Sequence, residues 1–131
     1  MQYLFFIIDK SGDVLSFDLT SEKDSYTCIL GHLSMLLDVT ISPGGEYIIT
    51  SDRDEKIRVS HYPNAYNIHC YCLGHTDFVT NIQIVPEHND ILVSASGDGT
   101  IRVWKYDEGK EVSLANWFIV RGQISLCKIL W

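Results

Sequence analysis

His75, Ser94 and Asp98 stand in one short span of this chain, followed by Trp104. A histidine, a hydroxyl and a carboxylate are the side chains of a nucleophilic relay, so hydrolysis is the first chemistry to weigh. No Gly-x-Ser-x-Gly elbow surrounds any candidate serine, and no glycine cluster follows one to serve as an oxyanion hole. His32, Thr50 and Asp54 repeat the order one unit earlier, with Ser60 where Trp104 would fall. Recurrence of this kind predicts a hydrogen-bonded network inside a repeated structural unit, because buried polar groups need partners. The chain is expected to have no catalytic residues.

The second cluster is His69-Cys70-Tyr71-Cys72-Leu73-Gly74-His75. Cys70 and Cys72 are two apart, so on a strand they share one face. A structural zinc draws on two separated ligand pairs, and no second pair lies near in sequence. His75 is already wanted by the network. The expectation is a pair of small core side chains and no metal.

The third cluster is electrostatic. In Asp52-Arg53-Asp54-Glu55-Lys56-Ile57-Arg58 six of seven residues are charged, on a hairpin turn running into a strand. Ile57 and Val59 should point one way, Lys56 and Arg58 the other. The plain reading is a solvated turn, and Arg102 holds the place of Arg58 one unit later. The corresponding turn there, Gly97-Asp98-Gly99-Thr100, is nearly uncharged. That contrast favours a partner site on the middle unit.

The elements that must carry these residues are strands. Leu30-Gly31-His32 recurs as Leu73-Gly74-His75, and Lys56-Ile57-Arg58-Val59-Ser60 as Thr100-Ile101-Arg102-Val103-Trp104, with an echo at Val14-Leu15-Ser16-Phe17-Asp18. A period of roughly 40–45 residues, opened by Gly-His and closed by a Trp-containing strand, is the signature of a WD-repeat β-propeller. The fold class is therefore all-β. Strands are predicted over 3–8, 14–19, 25–30, 36–42, 47–50, 56–62, 68–73, 79–85, 91–94, 100–106 and 111–114. Turns fall at 9–13, 43–45, 86–90, 97–99 and 107–110. Inner strands such as Ile82-Gln83-Ile84-Val85 lack clean alternation, as expected of sheets covered on both faces.

The division is a three-stranded partial blade over 1–30, complete blades over 31–73 and 74–115, and a tail over 116–131. The tail is either a strand of the next blade or sequence foreign to the fold. A propeller closes with typically 4–8 blades, so about two and a half blades read as a fragment of a ring.

Bulk composition narrows the partners. Hydrophobic content of 46% supports a core, and the net charge of −7 argues against direct grip on nucleic acid. Any role near RNA is expected to run through a protein partner. Four cysteines without regular spacing fit a reducing compartment. No apolar run approaches the ~18 residues of a membrane helix, so no membrane association is expected.

The run from Met35-Leu36-Leu37-Asp38-Val39 through Asp52-Arg53-Asp54-Glu55-Lys56-Ile57-Arg58-Val59-Ser60-His61-Tyr62-Pro63 to Cys72-Leu73-Gly74-His75-Thr76-Asp77-Phe78-Val79 resembles one WD family. It is similar to the noncatalytic WD-repeat subunit of the tRNA (guanine-N(7))-methyltransferase, over roughly residues 35–110. The resemblance implies a seven-bladed ring bound to a catalytic subunit that itself holds S-adenosylmethionine and forms 7-methylguanosine in tRNA. On that resemblance Lys56 and Arg58 would meet acidic side chains of the catalytic subunit, with Asp52, Arg53 and Asp54 in support. The resemblance also implies indirect contact with tRNA through the complex, and a nuclear location. The alternative is a generic WD scaffold or adaptor for another complex, which shares the fold without the charged hairpin as its anchor. An enzyme in its own right would need convergent reactive groups that the sequence does not supply.

Overall fold

The computed structural model describes residues 4–21 and 26–116. The tail, for which a strand of the next blade and sequence foreign to the fold both stayed open, lies outside them from Trp117 onward, as do the first residues of the predicted strands 3–8 and 25–30. Among the described residues every regular element is a strand: β1 Leu4–Ile8, β2 Asp13–Asp18, β3 Tyr26–Gly31, β4 Leu36–Ile41, β5 Tyr47–Asp52, β6 Ile57–His61, β7 Ile68–Cys72, β8 Val79–Val85, β9 His88–Ser96, β10 Thr100–Lys105 and β11 Lys110–Asn116. They form three antiparallel meanders, β1-β2-β3, β4-β5-β6-β7 and β8-β9-β10-β11.

Local chemistry sets the turns. Asp9 Oδ1 accepts the backbone N–H groups of Ser11 and Asp13, folding the β1–β2 connection back on itself. Ser42 Oγ does the same for Glu46 and Tyr47, while Gly45 takes φ 71°. Several boundaries depart from the sequence expectation, with β5, β9 and β11 each running two residues further, and two of the departures have a local cause. The turn expected over 86–90 is tighter, because Glu87 adopts φ 66° and Val85 pairs directly with His88. Strand β9 therefore begins three residues early. The final hairpin also closes sooner, with Lys105 opposite Lys110 and Gly109 at φ 64°.

The sheets stack face to face, and the core is what they cover. Between the first and second sheets lie Val14, Leu30, Leu36, Ile48 and Ala65. Between the second and third lie Ile49, Ile57, Val59 and Cys72 against Val79, Ile82, Leu92 and Trp104. Burying each such aliphatic side chain contributes about 1.5–3 kcal/mol. Strand β5 belongs to both interfaces, with Ile48 on one face and Ile49 on the other, which is why it reads as a continuous buried run. One polar tie joins the second and third sheets: Asp38 Oδ2 accepts the Ile82 N–H at 2.8 Å.

The two complete sheets share one pairing register at their central hairpins. Ser51 faces Ile57 and Ile48 faces Ser60 in one; Ala95 faces Ile101 and Leu92 faces Trp104 in the other. Positions 50–60 can thus be compared one by one with 94–104.

Candidate functional site

In the third sheet His75, just before β8, reaches over to β9. Its Nδ1 lies 2.9 Å from Asp98 Oδ2 and its Nε2 2.7 Å from Ser94 Oγ. A carboxylate accepts only, so Nδ1 carries the proton and Nε2 accepts the Ser94 hydroxyl. Ser94 Oγ accepts in turn from Trp104 Nε1 at 2.8 Å. The donors run in one direction, Trp104 to Ser94 to His75 to Asp98. Burial holds the His75 imidazole below its ordinary pKa, outweighing the Asp98 charge. Burial works the other way on Asp98, but hydrogen bonds from Thr100, His75 and the Thr76 and Thr100 amides win, setting its pKa at about 2. A serine that spends its proton on a buried neutral histidine and accepts from a tryptophan is locked. The geometry is that of a brace.

In the second sheet the brace is built differently from the sequence expectation. His32 Nε2 lies 2.6 Å from Thr50 Oγ1, but Nδ1 lies 2.9 Å from Asp52 Oδ2; Asp54 is exposed. Asp52 replaces Asp54 as the acid. The cause is a side-chain exchange at one register position. Asp52 stands where Ser96 stands in the next blade, and both cap the turn, Asp52 Oδ1 accepting the Asp54 N–H and Ser96 Oγ the Asp98 N–H. A carboxylate there has a second oxygen left to reach His32. Burial raises the Asp52 pKa, yet the His32 and amide hydrogen bonds bring it below the ordinary value. Asp52 is 2% exposed, so it is not the surface contact expected from the charged run. The donor chain stops at Thr50, because Ser60 replaces the tryptophan and its Oγ is buried without a partner among the described residues.

The charged hairpin separates into surface and interior. Arg53, Asp54, Glu55 and Lys56 are exposed, whereas Arg58 is 8% exposed. Arg102, its counterpart, is satisfied within its own sheet: Nε donates to Thr100 Oγ1 at 3.2 Å and Nη1 to Glu111 Oε1 at 2.6 Å. In the middle blade Lys56 occupies the place of Thr100, and Ile68, opposite Ser60, occupies that of Glu111, opposite Trp104. Both intrablade acceptors are gone. Arg58 Nη2 donates instead to the Gly31 carbonyl at 3.0 Å, and its Nε is enclosed without an acceptor among the described residues. Among the described residues no carboxylate lies within ion-pair distance of Arg58. The Thr-to-Lys exchange between repeats was legible in sequence, but the seat on Gly31 and the Glu-to-Ile exchange were not, the latter depending on strand register.

The cysteine pair divides. Cys72 is fully buried, and burial, with a smaller effect of Cys70, pushes its thiol up to about 12; Cys70 donates to the Tyr106 carbonyl at 3.1 Å. Among the described residues no group of three His, Cys, Asp or Glu side chains is gathered as metal ligands, and no helix is long and apolar enough to cross a membrane. A cavity of about 300 Å³ between the second and third sheets is walled by Tyr47, Tyr106, Glu46, Asp90 and Asp107 among others. It lies away from both braces and from Arg58.

A family model for the tRNA methyltransferase TRM82 WD40 domain matches residues 10–118. The tRNA (guanine-N(7)-)-methyltransferase non-catalytic subunit wdr4 of Danio rerio is 52% identical over 107 residues, covering 82% of this chain and 26% of that protein. The WDR4 subunit of Homo sapiens is 50% identical over 106 residues, covering 81% and 26%. The chain thus spans about a quarter of the length of these curated relatives. Among solved structures, that of U3-55K superposes with a TM-score of 0.73 at 23% identity, over 86% of this chain and 36% of its own. The crystal structure of RRP9 WD40 repeats gives 0.71 at 23%, over 85% and 34%. At that identity the likeness establishes the fold, a partial WD propeller.

Proposed function

This chain belongs to the family of tRNA methyltransferase TRM82 WD40 domains, and from that premise we propose that it serves a non-catalytic subunit that docks and stabilises the catalytic tRNA (guanine-N(7))-methyltransferase. The observation that carries this reading is the difference between two register-equivalent arginines. Arg102 has a carboxylate of its own; Arg58 has one backbone carbonyl and an enclosed, unmatched Nε. A nearly buried guanidinium lacking an anion is stabilised when a partner supplies one, and its planar fork suits a carboxylate. Lys56, exposed two residues earlier, adds positive charge at the same edge, and Arg53 lies in the adjoining turn.

The catalytic subunit is the component that binds S-adenosylmethionine, and tRNA is met through the complex. The braces around His75 and His32 keep the blades rigid and take no part in methyl transfer. The working location of the complex is the nucleus.

Tagged full-length protein, purified from cells and analysed by mass spectrometry, tests the reading. A methyltransferase with tRNA in the eluate is expected, and it is expected to disappear with Arg58→Glu together with 7-methylguanosine in tRNA. An eluate without a methyltransferase would favour a general WD scaffold instead, and a methyltransferase retained by Arg58→Glu would move the docking role off Arg58.

A further inference from the structure

We infer that Thr50 and His32 are positioning residues for the docking cation: they fix the peptide plane on which the Arg58 guanidinium is seated, so that the preceding blade aims the charge. This rests on Arg58 being the docking group, and deepens that reading by saying what orients it.

The Gly31–His32 peptide is a rigid plane with its carbonyl and N–H on opposite edges. On one edge the His32 N–H donates to the Gly12 carbonyl at 2.7 Å; on the other the Gly31 carbonyl accepts Arg58 Nη2 at 3.0 Å. The plane is thus clamped between the first sheet and the arginine. The His32 ring is clamped separately, by Asp52 at 2.9 Å and Thr50 at 2.6 Å. Thr50 is itself the cross-strand partner of Arg58 on β5 and β6, so the two side chains stand side by side on one face of the sheet. The circuit closes: Thr50 to the His32 ring, through the backbone to Gly31, to Arg58, and across the ladder to Thr50.

The third blade has the same ring brace without this circuit. There Ser94 holds His75, while Arg102 is held by Thr100 and Glu111. Loosening the His75 brace should cost stability alone. Loosening the His32 brace should cost stability and also free the Gly31 plane, so that Arg58 must be ordered again on binding. That ordering is a loss of affinity.

The test measures Kd between the full-length protein and the catalytic subunit at fixed ionic strength, alongside thermal stability. Thr50→Val keeps the side-chain shape and removes the hydroxyl; it is expected to raise Kd about three- to tenfold. Thr50→Ser keeps the hydroxyl and should restore wild-type affinity. Asp52→Asn, a second route to a looser His32 ring, should raise Kd in the same direction. Ser94→Ala, the matching lesion one blade later, should lower Tm but leave Kd within about twofold. In an Arg58→Ala background Thr50→Val should add nothing to the loss of binding, whereas its effect on Tm should persist.

Equal effects of Thr50→Val and Ser94→Ala on Kd would overturn the inference, as would an undiminished effect of Thr50→Val when Arg58 is already alanine. A different result, no loss of affinity on Arg58→Ala alone, would instead remove the docking role on which the inference rests.

Discussion

His32 Nδ1 is bound at 2.9 Å by Asp52 Oδ2, two residues before the position that the repeat period gives to the acid of this network. In the next blade His75 is bound by Asp98, at the periodic position, at the same distance. The same brace is thus assembled from acids at two different places in a turn of equal length. The exchange buries Asp52 and leaves Asp54 free at the surface, beside Lys56.

The relative cost of losing either acid follows directly. Asp52→Ala leaves the His32 Nδ1–H and the Asp54 and Lys56 amides without their acceptor, which costs about 1–3 kcal/mol. Asp54→Ala is expected to fall within about 0.5 kcal/mol of wild type. Chemical denaturation of the full-length variants measures both. A greater loss with Asp54→Ala would mean that the acid has been assigned to the wrong residue.

Glu55 sits at φ 75°, in register with Gly99 at φ 82°. The left-handed conformation costs a non-glycine residue about 1–2 kcal/mol. Glu55→Gly should therefore stabilise the protein by up to about 1 kcal/mol after the added chain entropy of glycine is offset. A fall in Tm for Glu55→Gly would show that the Glu55 side chain contributes more than its backbone strain removes.

Acidification should loosen the third blade first. Burial depresses the His75 pKa, so the unfolded chain takes up the proton more readily, and stability falls as pH drops below the unfolded value of 6.5. The Asp98 carboxyl, held at about 2 against an ordinary 3.8, adds a second loss as pH falls through that interval. That drop corresponds to roughly 2 kcal/mol. His75→Gln should flatten the upper part of the curve, between pH 7 and 5, in Tm measured against pH. An unchanged slope there would place the responsible group elsewhere.

What could be read from the sequence was whatever recurs. His75, Ser94, Asp98 and Trp104 are types at fixed spacing, and a hydrogen-bonded brace follows from their polarity once strands are assumed. The equivalence of Lys56–Ser60 with Thr100–Trp104 followed from the same period, whereas the pairing of β5 with β6 and of β9 with β10 came only with the structure. Asp52 was not legible, because a one-atom difference in reach between serine and aspartate decides which residue meets the histidine. The depth of Arg58 was hidden too, since it depends on a backbone carbonyl at Gly31, which no residue type announces. The early start of β9 turned on Glu87 accepting a left-handed φ that sequence reserves for glycine or asparagine.

Docking through Arg58 is tested most directly by the affinity of the full-length protein for the catalytic subunit, with Arg58→Glu compared against Arg102→Gln. Arg102→Gln removes an arginine whose carboxylate partner lies in its own blade, and should leave binding within about twofold of wild type. Arg58→Glu sets a negative charge against the partner's anion and should weaken the complex by about 2–5 kcal/mol; Tm of the free subunit records separately what the buried seat on the Gly31 carbonyl loses. Equal affinities for the two variants, with both folded, would contradict docking through the middle blade.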